Sequence, residues 1–424
     1  MGTDERETVR DLSDRLVAAQ AELRVLDAVK WDDGVRRRFE AAGCREQPDV
    51  DRDYYAARPL SFDPADLRER FLALEAEITA ALGGVSPTAV IMKRNCENYR
   101  LALDLIEARG TPAFGSLSAL LYGTADEAFH LGGPTLRDFA DIMETALSNL
   151  EPSLLDDAEP HAICGAEAVG VLQEMLDASM GSGLVDVKVD DGIVADAAAG
   201  SSYVKLRADA TFSERDLALL EAHEGWVHVG TTQNGLAQPV CTFLGKAPPP
   251  TTVTQEGLAV LTEILSQRSH PSRLQWIVNR VRAVQWASEG ATFLEVWERF
   301  RTNGLTEDEA WQTTARVFRG STATGPPFTK DLAYGKGLVL TYVYVRLAVR
   351  QGQLHRIPML FCGKVDVRNL GMLSHLFDEG LVEGPRFVPP PFRDLQALST
   401  TIAFSRFLNE LDFDRLETDY ARVL

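Results

Sequence analysis

The chain has 424 residues, 45% of them hydrophobic and 25% charged, which is the composition of a globular protein able to bury a sizeable core. That apolar content excludes disorder as the main state. With 62 acidic against 43 basic residues the net charge is −19, a field that repels phosphate backbones and anionic surfaces, so no nucleic acid and no membrane is expected as a partner.

The start, MGTDERETVRD, is acidic and has no apolar signal core. Residues 8–42 carry apolar positions at helical spacing: Leu12, Leu16, Val17, Leu23, Leu26 and Val29. Residues 64–83 repeat the pattern with Leu67, Phe71, Leu74, Ile78 and Leu82, and Gly83-Gly84 is the stop. The Pro-rich connection between them carries aromatics and is expected to pack. A further helix is predicted over Ala89–Ala108, ending at Gly110, and Ser148–Asp157 has the polar composition of a joint. The expected organisation is a helical N-terminal segment, 1–60, packed on a main body, 61–424, with two lobes around a cleft as one option.

Near residue 184 the period changes to two. Val185, Val187 and Val189 alternate with polar residues, Asp191-Gly192 reads as a turn into Ile193 and Val194, and residues 203–208 alternate again. This pattern predicts a small antiparallel meander. Ser213, with Asp216 three residues on, resembles a capping box that opens a helix. Thr254–Gln267, Leu274–Glu289, Glu307–Phe318 and Lys336–Gln351 read as helices, while the proline triplets 248–250 and 389–391 mark loops. The longest apolar run, Leu338–Val349, contains Arg346 and is too short to span a bilayer. The fold class is therefore α+β, mainly helical, with one small sheet in the middle.

The five cysteines, Cys44, Cys96, Cys164, Cys241 and Cys362, are odd in number and never spaced CxxC, so they read as reduced thiols of a cytoplasmic protein.

The chemistry concentrates after the sheet. His223-Glu224-Gly225-Trp226-Val227-His228 is one residue longer than the HExxH of zinc peptidases. On a regular helix residues five apart differ by roughly 140° and cannot share a metal. A π-bulge absorbs the extra residue and returns both rings to one face, and Gly225 eases that distortion. The bland alternative is two structural histidines. Against it stand the strand–cap–helix context and Glu256, 28 residues beyond His228 in Thr254-Gln255-Glu256-Gly257-Leu258-Ala259. Two His and one Glu leave a fourth position open, as a catalytic zinc set does, and Glu224 is then placed as general base.

These residues resemble a known family. HExxxH, then Gln233-Asn234-Gly235, then QEGLA is similar to the bacterial branch of the microtubule-associated tyrosine carboxypeptidase family, whose members are catalogued as flavohemoglobin-expression-modulating QEGLA-motif proteins. Leu26–Asp32, Leu121-Tyr122-Gly123, Val204–Ser213, Phe328-Thr329-Lys330-Asp331 and Cys362-Gly363-Lys364 extend the likeness over most of the chain. The resemblance implies a zincin-like metallopeptidase fold, one Zn2+ per chain on His223, His228 and Glu256, and Glu224 as catalyst. It also implies removal of a C-terminal residue, tyrosine-like, from a peptide or protein. The insert Gly225-Trp226-Val227 departs from the eukaryotic Ile-Gly-Thr, and Trp226 either narrows the cleft or packs into the core.

A carboxypeptidase must also hold the terminal carboxylate. Lys205, Arg207, Lys330 and Lys336 are the candidates, each with solvated surface as its alternative. Tyr334 is either a donor to the developing oxyanion or a packed aromatic at a helix start. Glu263, two turns past Glu256, and Asn234 are candidates for supporting the ligands. His130, His161, His270, His355 and His375 lack a partner at ligand spacing and read as structural, and Cys241 lacks a base. Two readings compete with the peptidase: a regulatory protein with a structural or vestigial zinc site that modulates expression of another protein, and a zinc hydrolase of small amides.

Overall fold

Side-chain caps open many of the helices. The computed structural model describes residues 3–151, 162–190, 192–193 and 195–420, and helices dominate them. The N-terminal periodic stretch forms three helices, Thr3–Ala19, Val25–Val29 and Asp33–Ala41, because Asp32 caps a new start by accepting from the Gly34 amide. Val9, Leu12 and Leu16 share one apolar cluster with Leu67, Phe71, Leu74 and Ile78 of the helix Pro64–Leu82. The Pro-rich connection packs as expected, with Tyr55 buried. Helices Pro87–Glu107 and Glu307–Phe318 begin at serine or threonine caps.

The sheet corrects the sequence reading. Strand β1 (Ile163–Cys164) pairs antiparallel with β5 (Thr211–Phe212). Strands β2 (Asp186–Val189), β3 (Ala197–Ala199) and β4 (Tyr203–Leu206) form a second sheet in the order β2-β4-β3, with β2 parallel and β3 antiparallel to β4. It is a mixed sheet, not an antiparallel meander. The Asp190 carboxylate accepts from the Gly192 amide, closing a local turn rather than a hairpin, and the true hairpin joins β3 to β4. Val204 and Leu206 are fully buried, so β4 takes the centre, where both edges are hydrogen-bonded. The edge beside the histidine-bearing helix is consequently β3 and not the strand that begins at Tyr203. Residues 152–157 of the expected joint, His161, Asp191 and Val194 lie outside the described residues.

Two long helices carry the centre of the molecule. Thr251–Leu265, which holds the QEGLA sequence, packs against Ala333–Arg350, and their closest approach is backbone to backbone at Gly257 and Gly337. A Cβ on either glycine would collide with the other helix. The stretch Thr329–Arg350 is long and apolar enough to cross a bilayer by length and composition, and here it packs along the QEGLA helix with about half of its apolar window buried (44%). Of the proline triplets, Pro250 caps the QEGLA helix, while Pro390 and Pro391 open the short helix Pro390–Arg393, since proline suits a first turn whose amides need no partner.

Candidate metal centre

Ser213 caps the helix Glu214–Leu220, its amide donating to the Asp216 carboxylate at 2.8 Å while Asp216 N donates to Ser213 Oγ at 3.1 Å. The chain then runs directly into a π-helix, Glu221–Val229, nine residues long rather than a single bulge. At its end the Gly230 amide donates to the Gly225 carbonyl, five residues back. Residues five apart therefore stack, and the rings of His223 and His228 lie 4.8 Å apart.

Packing explains why this segment tolerates the rarer helix. Trp226 and Val229 fill the cluster built from Leu172, Leu176, Met180, Val204 and Leu206, while Val227 joins the opposite cluster with Leu258 and Phe361. Trp226 is 4% exposed, so it packs into the core, with the Arg393 guanidinium over its ring at 4.6 Å. Gly225 does more than ease the distortion, since a Cβ there would meet the Leu176 side chain of the neighbouring helix Gly165–Met180.

Glu256 Oε2 sits 3.4 Å from His223 Nε2 and 3.7 Å from His228 Nε2, and the three ligand atoms lie within 4.8 Å of one another. A tetrahedral zinc with bonds of about 2.0–2.1 Å separates its ligand atoms by roughly 3.3–3.5 Å. Glu256 Oε2 is buried with no hydrogen-bond partner among the described residues, as an oxygen reserved for a cation would be. The donor set fits a zinc ion.

Behind the ligands is a supporting layer. His223 Nδ1 is 2.5 Å from Glu263 Oε1, and Arg273 donates to the same carboxylate at 2.9 and 3.1 Å. Glu263 is fully buried; burial by itself would raise its pKa, but Arg273 and His223 outweigh it and hold the carboxyl down at about 2. It accordingly accepts the Nδ1 proton and leaves the Nε2 lone pair free for a metal. His228 is fixed through its backbone. Lys364 Nζ donates to the His228 carbonyl at 2.9 Å, to Gln255 Oε1 at 2.8 Å and to Thr231 Oγ1 at 3.1 Å. Burial pushes the Lys364 ammonium down to about 7. The Gln and Glu of QEGLA thus face the same centre, one through Lys364 and the other beside the two histidines.

Glu224 Oε1 lies 4.0 Å from His223 Nε2. Of the four candidate cations only Lys330 joins them, with its Nζ 3.8 Å from Glu256 Oε1. Lys205 pairs with Asp190 at 2.5 Å, Arg207 with Asp209 at 2.6 Å and Asp196 at 3.1 Å, and Lys336 with Glu127 at 2.6 Å. Those three charges are engaged by local carboxylates. Tyr334 is 8% exposed; its ring packs edge-on to Trp276, and burial with the nearby Glu256 charge raises its phenol well above the ordinary value. Asn234 does not support the ligands. Its side chain donates to the Phe361 and Phe387 carbonyls and accepts from the Arg386 and Phe387 amides, which uses its full capacity on two backbone segments.

His130, His355 and His375 are exposed, and His270 contacts Ser272 at 2.6 Å. Cys241 is fully buried, and burial lifts its thiol to about 12. Sequence reasoning missed Arg273 and the role of Lys364. The Cys362-Gly363-Lys364 string stands out in the sequence, but a lysine's partners 109 and 136 residues away leave no local signal.

The family model described as microtubule-associated tyrosine carboxypeptidase matches residues 37–410 of the chain. No curated protein matches it.

Proposed function

From the premise that the chain belongs to the microtubule-associated tyrosine carboxypeptidase family, we propose that it is a zinc-dependent carboxypeptidase that removes a tyrosine-like C-terminal residue. The family implies carboxypeptidase-like activity on a peptide or protein. The observation that carries the finer reading is the convergence of His223, His228 and the unpartnered Glu256 Oε2 on one point. His223, His228 and Glu256 would hold a zinc ion, which would supply Lewis-acid polarisation of a carbonyl and acidify a water.

The chain's own residues do the rest. Glu224 takes the proton of the attacking water on Oε1 and passes it to the nitrogen of the departing residue, returning to the carboxylate. Glu263, gripped by Arg273, holds His223 in one tautomer and one orientation. The Tyr334 hydroxyl donates to the scissile carbonyl oxygen as it gains negative charge. The Lys330 ammonium receives the substrate carboxylate in this reading, which its 3.8 Å approach to Glu256 supports.

The test is elemental analysis of wild-type protein, His223→Ala and Glu224→Gln after chelator-free dialysis, followed by a C-terminal peptide library. We expect about one zinc per wild-type chain, its loss in His223→Ala, and its retention in Glu224→Gln with hydrolysis down at least about 10²-fold. Wild-type-like hydrolysis by Glu224→Gln overturns the mechanism.

A further inference from the structure

Two strings outside the metal set, Gln233-Asn234-Gly235 and Cys362-Gly363-Lys364, meet in the structure. Asn234 donates to the Phe361 carbonyl at 2.7 Å, and Gln238, one turn on, donates to the Cys362 carbonyl at 3.1 Å. The Lys364 amide in turn donates to the Leu244 carbonyl at 2.7 Å. Gly235 and Gly363 let these segments touch backbone to backbone, since a Cβ on either would strike main-chain atoms of Leu244. Residues 361–364 are therefore held by two neighbouring segments, which fixes the point from which the Lys364 side chain sets out.

That side chain ends at the last turn of the π-helix Glu221–Val229. Its three N–H donors meet the His228 carbonyl at 2.9 Å, Gln255 Oε1 at 2.8 Å and Thr231 Oγ1 at 3.1 Å, none of them a carboxylate. The hydrogen-bond register changes at this place. The Gly230 amide reaches five residues back to Gly225, whereas the Ala237 amide reaches four back to Gln233. Where a five-residue register tightens to four, two successive carbonyls compete for one amide, and one is left without a backbone donor. Side chains make up the shortfall: Thr232 Oγ1 donates to the His228 carbonyl at 2.7 Å and Thr231 Oγ1 to the Val227 carbonyl at 2.6 Å. Threonines that bond back to the preceding turn are ordinary in helices. A lysine arriving from 136 residues away is not, and it brings a charged donor to the same His228 oxygen.

The two histidines are consequently anchored in different ways. The His223 ring is held at Nδ1 by Glu263, whereas among the described residues His228 Nδ1 has no hydrogen-bond partner. The placement of the His228 ring then follows from its backbone. We infer that Lys364 is a positioning residue that locks the π-to-α register change at His228, and that Gln233-Asn234-Gly235 and Cys362-Gly363-Lys364 together form the clamp that aims it. Without the lysine the His228 carbonyl keeps only threonine hydroxyls, and the register is free to move by one residue. One residue of helix is a turn of about 100°, which swings the His228 ring off the face it shares with His223. The assignment rests on the metal-centre reading and gives a purpose to two strings that the ligand set leaves unexplained.

The experiment compares full-length wild-type protein with Lys364→Met, an apolar side chain of similar length, and Lys364→Arg, which keeps a cationic donor. Zinc affinity is read by competition with a chromogenic chelator, ligand geometry by the visible absorption of the Co2+-loaded protein, and the register by hydrogen exchange of the metal-free protein. Lys364→Met is expected to weaken zinc binding about 10- to 100-fold and to change the Co2+ band intensities. It is also expected to speed exchange of the Gly230, Thr231 and Thr232 amides about 10-fold or more, while the helix Pro64–Leu82 exchanges as before. Lys364→Arg is expected to return most of the zinc affinity and the wild-type Co2+ spectrum. Unchanged zinc affinity and spectrum in Lys364→Met overturn the proposal. Faster exchange throughout the molecule also overturns it, because Lys364 would then be a general stabilising contact, and so does a Lys364→Arg variant no better than Lys364→Met. If wild-type protein binds neither metal, the metal-centre reading fails, and exchange at Gly230–Thr232 in Lys364→Met, faster or unchanged, decides the clamp by itself.

Discussion

Glu224 and Glu263 are buried and Glu256 partly so, three carboxylates in one small volume whose neighbours distinguish them. Glu256 keeps one oxygen unpartnered toward two imidazoles, Glu263 is saturated by Arg273 and His223, and Glu224 stands 4.0 Å from the nearest ligand nitrogen. The positions of Glu224 and Glu256 beside the histidines were legible because motif spacing encodes them, and Glu263 was legible as a position two turns along the same helix. Arg273 was not, because nothing in the sequence shows which of many arginines meets a buried acid. Glu263→Gln should lower zinc affinity about 10- to 100-fold, since Nδ1 loses its anionic acceptor and the ring its fixed tautomer. The same change leaves the Arg273 guanidinium buried and uncompensated, which costs about 3–5 kcal/mol. Competition with a chromogenic chelator and a urea titration check the two effects separately; unchanged zinc affinity would remove Glu263 from the metal centre.

At the scale of elements, the centre is the meeting of a π-helix with two crossing helices. The six-residue HExxxH spacing demanded an i→i+5 register, and the structure extends that register over Glu221–Val229 because Trp226, Val227 and Val229 are each buried in it. Gly257 has no visible purpose in the sequence beyond the motif. Its reason is Gly337, whose backbone occupies the space a Cβ would need. Gly257→Ala should therefore push the QEGLA helix off its neighbour, costing about 1–3 kcal/mol in overpacking and displacing Glu256 from the histidines. A lowered urea midpoint together with less than stoichiometric zinc is the expected result; full zinc content with normal stability would refute the role given to this crossing. The mixed sheet was illegible for a related reason. Alternation shows which residues face inward but does not show which strand lies between the other two.

For the whole molecule, net charge and local charge point in opposite directions. A chain of net charge −19 gathers Arg280, Arg316, Arg319 and Lys330 around the carboxylate of Asp331. The metal ligands come from two helices that pack against each other, so zinc binding should tie these elements together. Removing the metal with a chelator should lower the melting temperature, and zinc at 100 times its Kd should return about 2.7 kcal/mol. Calorimetric scans of apo and reloaded protein test this, and coincident melting curves would show that no ion binds the folded state. The sequence by itself determined the helical class, the capped entry to the histidine helix, and the grouping of His223, His228 and Glu256, which the structure brings within ligand distance of one another. Those properties follow from local periodicity and from spacing along one chain. Only the tertiary structure decided the strand order, the burial of Trp226, the grip of Lys364 on the His228 carbonyl and the gathering of four cations around Asp331. Each of those depends on contacts between segments far apart in the chain, where the choice among similar residues is made by packing and by the energetic cost of burying charge.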